Sequence, residues 1–307
     1  MRRGLLVFNP GATRVSPRMR DVIAHALSDE LKLDVVETKR RNHATHLAAG
    51  AAHEGFDVVV CFGGDGTLNE VINGLAGTDV PLVPIPGGGT NVFARTMGLP
   101  KDPIDATSIV LEKLHNGAEP RMINLGKMNG RMFAFCAGAA LDAQVVHSVE
   151  QAAGTRRRFG EWSFVTHAVT TALRMQGRRG PLRVYADGQV IERVAAAIVC
   201  NSRPYTFLGD RMFDVCPRAD IEKGLDATVV RTIAIPTILR IVIAAFASGD
   251  YSKIRKANAF QNGVHRRVRE RAARARSHRL RLRRRFDSFL LPSVTHRVRN
   301  DTKNGIA

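Results

Sequence analysis

In VVVCFGGDGTLNEVINGL, residues 58–75, one carboxylate stands among three glycines and a helical pattern follows. Gly63, Gly64 and Gly66 free the main chain to bring amide groups close to a phosphate, and the helix opening after them adds its dipole. Thr67 offers a hydroxyl that can cap the helix or donate to a phosphate oxygen. Asp65 repels a polyphosphate unless it holds Mg²⁺ or takes a proton from an attacking hydroxyl, so the combination points to phosphoryl transfer. The bland alternative is an Asp-Gly pair in a tight turn. A second glycine loop, PGGGTNVFAR from Pro86, weighs against it, because turn chemistry does not explain two such loops at the ends of adjacent strands. Neither loop is the GxxxxGK[ST] phosphate loop or a dinucleotide-type GxGxxG.

Loops of this kind need strands that end together. GLLVFNP (4–10) reads as a strand, and Ser16-Pro17 opens a helix that reaches about Ser28. LDVVET (33–38) is a second strand, and HATHLAAGAAHEG is an Ala-rich helix stopped by Gly55. FDVVVCF, the helix TLNEVINGLAG and the strand VPLVPI complete the alternation. Strands alternating with helices over short connections predict an α/β domain with a parallel sheet covered on both faces. Its turns at Asn9-Pro10-Gly11, GGDGT and PGGGT should face one crevice at the carboxyl ends of the strands. After about Glu119 the segments RMINLGKMNG, RMFAFCAG, PLRVYADG and GLDATVVRT read as strands broken by Asn-Gly and Asp-Gly turns, with a helical stretch near 160–176. The expected organisation is an α/β domain over 1–118, a mainly β, sandwich-like domain over 119–255, and an Arg-rich tail over 256–307.

The net charge of +18 belongs mostly to that tail, since residues 251–307 hold 17 Lys or Arg against 3 acids. A nucleic-acid partner is therefore not expected, and the tail lacks interleaved aromatics or a recognition fold. No apolar run reaches the roughly 18–20 residues of a membrane span, because IAIPTILRIVIAAFA carries Pro236 and Arg240. The N-terminal apolar segment is too short for a signal peptide. A cytoplasmic protein, at most peripheral to a membrane, is expected. Cys61, Cys136, Cys200 and Cys216 lie far apart with no CxxC pair, which reads as reduced, mostly buried thiols.

GGDGTLNEVINGL followed by PIPGGGTNVFARTMGLP resembles the catalytic domain of the diacylglycerol kinase family, which includes bacterial soluble lipid kinases and the sphingosine kinases. The resemblance covers most of residues 4–250 and extends to the NPG turn and to TKRRNHATHLA. It implies ATP-dependent phosphorylation of a lipid hydroxyl, with Mg²⁺ arriving on ATP, in a cleft between the two domains. By the same resemblance Asn9, Pro10, Gly11, Ala12, Thr13 and Thr38 bind ATP, together with Gly63, Gly64, Asp65, Gly66, Thr67, Leu68 and Asn69. Gly88, Gly89, Thr90 and Asn91 complete the phosphate site. The aspartate at the position of Asp65 is treated as catalytic in the sphingosine kinases, which implies a proton-accepting or metal-linked role. AGAALDAQVV resembles the family's Gly-rich segment and makes Asp142 a candidate for the lipid headgroup, with a helix N-cap as its bland alternative. Glu70 reads as a first-turn helix acid. The implied partner is a lipid at a membrane surface, and bacterial relatives often pair as dimers.

Three departures stand out. Aligned on Phe93-Ala94-Arg95, Gly89 stands where the family has threonine and Val92 where it has aspartate, with Thr90 one place on. In ADIEKGLDATVV, similar to a region that holds a structural Mg²⁺ in bacterial members, Lys223 occupies an acidic position, and a cation does not ligate a cation. The family's terminal Val-Asp-Gly-Glu strand has no match after residue 250. The tail reads either as a basic arm for anionic lipid or, as favoured here, as the product of a frame shift near residues 255–265. The alternatives to a lipid kinase are an ATP-binding pseudokinase or lipid-binding module and an enzyme like the NAD kinases or phosphofructokinases, which share GGDGT.

Overall fold

The computed structural model describes residues 1–140, 182–186, 189–231, 235–247 and 257–260 of the chain. Its first half alternates β1 (Arg2–Phe8), α1 (Pro17–Leu27), β2 (Leu31–Glu37), α2 (His43–His53), β3 (Val58–Gly63), α3 (Asp65–Leu75), β4 (Leu82–Pro86), α4 (Val92–Thr96) and α5 (Pro103–His115). The four strands form one parallel sheet in the order β2-β1-β3-β4. The central strands read as unbroken apolar runs because both of their faces are covered. Leu5, Val7, Val59 and Cys61 point into the layer that also holds Ala44 and Ala48 of α2 and Val71 and Ile72 of α3. Their neighbours Leu6, Phe8, Val60 and Phe62 face Ile23 and Leu27 of α1 and Val110 and Leu114 of α5. Full burial of a side chain such as Phe62 is worth roughly 1.5–3 kcal/mol, and it leaves this sheet a rigid base for the loops at its end.

The helix starts follow local chemistry. Ser16 accepts the Met19 amide at 3.2 Å with Pro17 in the first turn, and Asp102 accepts the amides of Ile104 and Asp105 with Pro103 following. Gly55, at φ +74°, ends α2. Sequence reading starts the third helix at Thr67, but α3 begins at Asp65, with Gly64 as its cap. An acid in the first turn suits the dipole there.

The second half is antiparallel. Hairpins join β5 (Gly126–Met128) to β6 (Arg131–Phe133), β8 (Leu182–Ala186) to β9 (Gln189–Val194), and β11 (Thr206–Leu208) to β12 (Arg211–Phe213). A four-stranded sheet runs β14-β13-β10-β7, from β7 (Cys136–Ala140) and β10 (Ala196–Cys200) to β13 (Asp226–Val230) and β14 (Ala257–Phe260). Helix α6 (Ile235–Ala247) sets Phe246 edge-on to Phe213, centroids 5.2 Å apart. β14 pairs with β13 inside the stretch assigned from sequence to the tail, so the sheet continues to at least Phe260. Asp142, the helical stretch expected near 160–176 and the Arg-rich block lie outside the described residues. The cysteines, far apart in sequence, are not all far apart in space. Cys136 and Cys200 are paired positions on β7 and β10, and Cys216 joins their buried cluster. A hydrogen bond from the neutral Cys200 thiol to Cys216, with burial behind it, holds Cys200 well above its ordinary range.

Candidate active site

Three loops meet at the carboxyl ends of β1, β3 and β4. Asn9 donates from Nδ2 to Thr67 Oγ1 at 2.9 Å and accepts the Gly11 amide on Oδ1 at 2.9 Å. That second bond shapes the Asn9-Pro10-Gly11 turn. The Arg14 amide donates to the Gly87 carbonyl at 2.8 Å, and the Gly87 amide to the Gly63 carbonyl at 2.7 Å. The first loop is thereby tied to the other two, and Thr67, 9% exposed, serves as their shared anchor. The Thr38 amide donates to the Phe8 carbonyl at 2.8 Å, which places the end of β2 beside the same turn.

The two glycine loops touch main chain to main chain. A Cβ built on Gly88 would stand 2.8 Å from Gly64 Cα and 2.9 Å from Asn91 Oδ1, closer than side-chain carbons come to such atoms. Asn91 holds its loop from inside at φ +51°, accepting the Gly88 amide at 2.7 Å and donating to the Gly88 carbonyl at 2.8 Å. A Cβ on Gly66 or Gly89 would meet nothing within 4 Å. Those two glycines border open space.

Asp65 links the loops by charge. Its Oδ2 accepts the Val92 amide at 2.9 Å and its Oδ1 the Phe93 amide at 3.0 Å, so the carboxylate caps the five-residue α4 from another helix. Asn91, the local cap position, makes no side-chain cap bond. Glu70 repeats the device one turn later, where Oε1 takes the Asn42 amide at 2.8 Å and Oε2 the Ala44 amide at 3.3 Å at the start of α2. Between the two acids, Cys61 is buried in β3. Burial first, then the charges of Glu70 and Asp65, push its thiol far up. A cavity of about 10 Å³, the scale of one water, lies among Gly63, Gly64, Asp65 and Asn91.

Of the other residues named from sequence, Pro10, Gly11 and Thr13 are exposed, and Ala12 and Thr90 are half-buried. Leu68, 4% exposed, packs in the core. Asn69 has a buried Oδ1 without a partner among the described residues, while its carbonyl accepts from Asn73 at 2.7 Å. Sequence reading missed the capping roles of Asp65 and Glu70. It also missed Asn73, which pairs with both backbone groups of Met132 at 2.8 and 3.0 Å and fastens α3 to β6.

Residues 3–121 match the family model described as the diacylglycerol kinase catalytic domain. A diacylglycerol kinase of Bacillus subtilis (strain 168) is 34% identical over 154 residues, 48% of this chain and 49% of its own length. A diacylglycerol kinase of Staphylococcus aureus (strain MRSA252) is 28% identical over 197 residues, 62% of this chain and 59% of its own. The matches thus span about half the length of these relatives. A crystal structure of a diacylglycerol kinase from Bacillus anthracis (strain Sterne) shares the fold over 84% of this chain and 83% of that one, with TM-score 0.64 and 24% identity.

Against the diacylglycerol kinase pattern, the departures acquire a physical setting. Val92, where the family has aspartate, is 5% exposed and contributes its amide to Asp65. Lys223, in an acidic position, pairs with Asp220 at 2.9 Å. That pairing lowers the Asp220 carboxyl against the opposing effect of burial. Arg95 reaches the second half. Its guanidinium lies 3.5 Å over the Phe207 ring and donates to the Gly209 carbonyl at 3.2 Å. Lys101 joins it, at 2.9 Å from the same carbonyl and 3.0 Å from Asp210.

Proposed function

We propose that the chain is an ATP-dependent lipid kinase that transfers the γ-phosphate to the hydroxyl of diacylglycerol or a related lipid alcohol at a membrane surface. The observation that carries this reading is the pair of glycine loops, joined main chain to main chain at adjacent strand ends with one carboxylate between them. The match of residues 3–121 to the diacylglycerol kinase catalytic domain supports it.

The residues fit a bound nucleotide. Gly66 and Gly89 border open space where a Cβ would meet nothing, a cradle that main-chain amides can line for phosphate oxygens. Gly11, Ala12 and Thr13 bring the first turn to the same phosphates, Thr90 adds a hydroxyl, and Thr38 stands on the adenosine side. When bound, MgATP supplies the phosphoryl group and the cation that balances its charge. Asp65, the acid of the loops, takes the proton of the lipid hydroxyl or anchors the metal. Its grip on the Val92 and Phe93 amides fixes the carboxylate in place beforehand, as pre-organised catalysis requires.

The test is transfer of label from γ-labelled ATP, with Mg²⁺ and mixed micelles of diacylglycerol, to phosphatidic acid, run beside Asp65→Asn and Gly89→Val. Gly89→Val is the cleaner control, because Asp65 also holds α4. Label that vanishes in a folded Gly89→Val chain supports the reading. ATP binding by the folded chain without label in any lipid would sink it and leave an ATP-binding module.

A further inference from the structure

A cleft of about 560 Å³ opens where the C-terminal end of α4 meets the loops at 201–205 and 216–226, and no residue of the glycine loops lines it. Its walls carry Arg121, Arg203, Arg218 and Lys223 against Asp220 and Asp226. Of the two acids, Asp220 is already matched by Lys223 at 2.9 Å, and Asp226 is 6% exposed. Arg121, Arg203 and Lys223 each have an acid beside them, in Glu222, Asp214 and Asp220, so the cleft offers a ligand the remaining N–H groups of oriented cations and not an excess of charge.

The cations are held from behind. Arg203 keeps Nε 3.1 Å from Asp214 and donates from Nη1 to the Pro217 carbonyl at 2.8 Å. Arg121 is braced on Glu222 at 2.8 Å. A guanidinium fixed this way loses little entropy when it binds an oxyanion. In the same wall Ser202, 2% exposed, has an Oγ without a hydrogen-bond partner among the described residues. A buried hydroxyl left unpaired is unfavourable, and a ligand oxygen removes that cost. A hydroxyl beside several oriented cations matches a group with many acceptor oxygens and negative charge.

We propose that this cleft binds a phosphate group, carried by a phospholipid headgroup or present as free phosphate. Thr96, at the cleft, lies four residues along α4 from Val92, a rise of about 6 Å. A phosphate here occupies a place separate from the glycine loops, and the proposal stands whether or not the chain is a kinase.

The experiment is titration of the full chain, by calorimetry and thermal unfolding, with inorganic phosphate, short-chain phosphatidic acid and short-chain neutral diacylglycerol. Phosphate and phosphatidic acid should bind and raise the unfolding midpoint, and neutral diacylglycerol should not compete with either. Ser202→Ala, which removes a buried hydroxyl without a partner among the described residues, should leave the unliganded midpoint no lower and weaken binding about tenfold. Lys223→Met should weaken it by a similar factor. Phosphatidic acid binding at least about tenfold tighter than inorganic phosphate identifies the headgroup as the source, and equal affinities identify free phosphate. The proposal is overturned if neither anion binds, or if both bind Ser202→Ala and Lys223→Met as they bind the unaltered chain, since the phosphate then sits in the glycine loops.

Discussion

Replacing Asp65 by Asn tests whether the acid of the first glycine loop is structural as well as chemical. In the native chain its two oxygens accept the Val92 and Phe93 amides at 2.9 and 3.0 Å. A carboxamide offers one acceptor oxygen and turns its NH₂ toward the other amide, so one charge-assisted bond is lost and the survivor becomes neutral. Bonds of this kind are worth about 1.5–3 kcal/mol each. With Asp65 half-buried, a net loss of about 2–3 kcal/mol is expected, or a thermal midpoint lower by about 4–12 °C. Hydrogen exchange at the amide left facing the NH₂ should accelerate about 30- to 150-fold if local opening controls it. The assay is thermal unfolding without nucleotide, paired with amide exchange at Val92 and Phe93. A midpoint within about 1 °C of the native value and unchanged exchange would refute the capping role. An acid kept for chemistry alone gives that result, and its removal often stabilises.

Gly88→Ala drives a methyl to within 2.8 Å of Gly64 Cα and should cost about 1–3 kcal/mol in urea unfolding, whereas Gly66→Ala should leave stability nearly unchanged and weaken ATP binding measured by calorimetry. Burial, against the smaller opposing effects of Arg203 and the Cys216 amide, raises the Asp214 carboxyl above its ordinary 3.8. The folded chain then holds this proton more tightly than the unfolded chain. The contribution is full below the ordinary carboxyl value and is lost as pH rises through the raised one. Asp214→Asn should flatten that part of the stability profile. Arg95→Met removes the contact over Phe207 and the bond to Gly209, and protease cutting at the β11–β12 hairpin should quicken about tenfold. Cys61 should resist thiol reagents until the chain unfolds, given its burial beside Glu70 and Asp65.

The α/β half was legible because its signals are local. Apolar runs such as Val58 to Phe62 stop at glycine or proline, and Ser16-Pro17 announces a helix within three residues; the same signal at Asp102-Pro103 went unread. The hairpin turn Asn129-Gly130 was equally plain, and both residues have positive φ, 50° and 79°. What escaped depends on chain brought from far away. The amides that Asp65 caps lie 27 and 28 residues on, and those capped by Glu70 lie 28 and 26 residues back. No spacing rule reports such a bond. The meeting of Cys136, Cys200 and Cys216 needs the register of β7 and β10, and the cationic cleft needs two loops folded onto α4. Asn73 left no signal at all, since an asparagine in a helix reads as a surface residue until β6 lies beside it.

Helix α4 is short, and both of its ends are held. Its first amides sit on Asp65, and Arg95, in its last turn, grips the β11–β12 hairpin of the second half. A body five residues long is too stiff to absorb a rotation within itself. If the two halves swing toward or away from each other, α4 works as a connecting rod, and displacement of the hairpin arrives at the Asp65 carboxylate as a change in tilt of its amide partners. Opening of the molecule and alignment of its acid are then one mechanical coordinate.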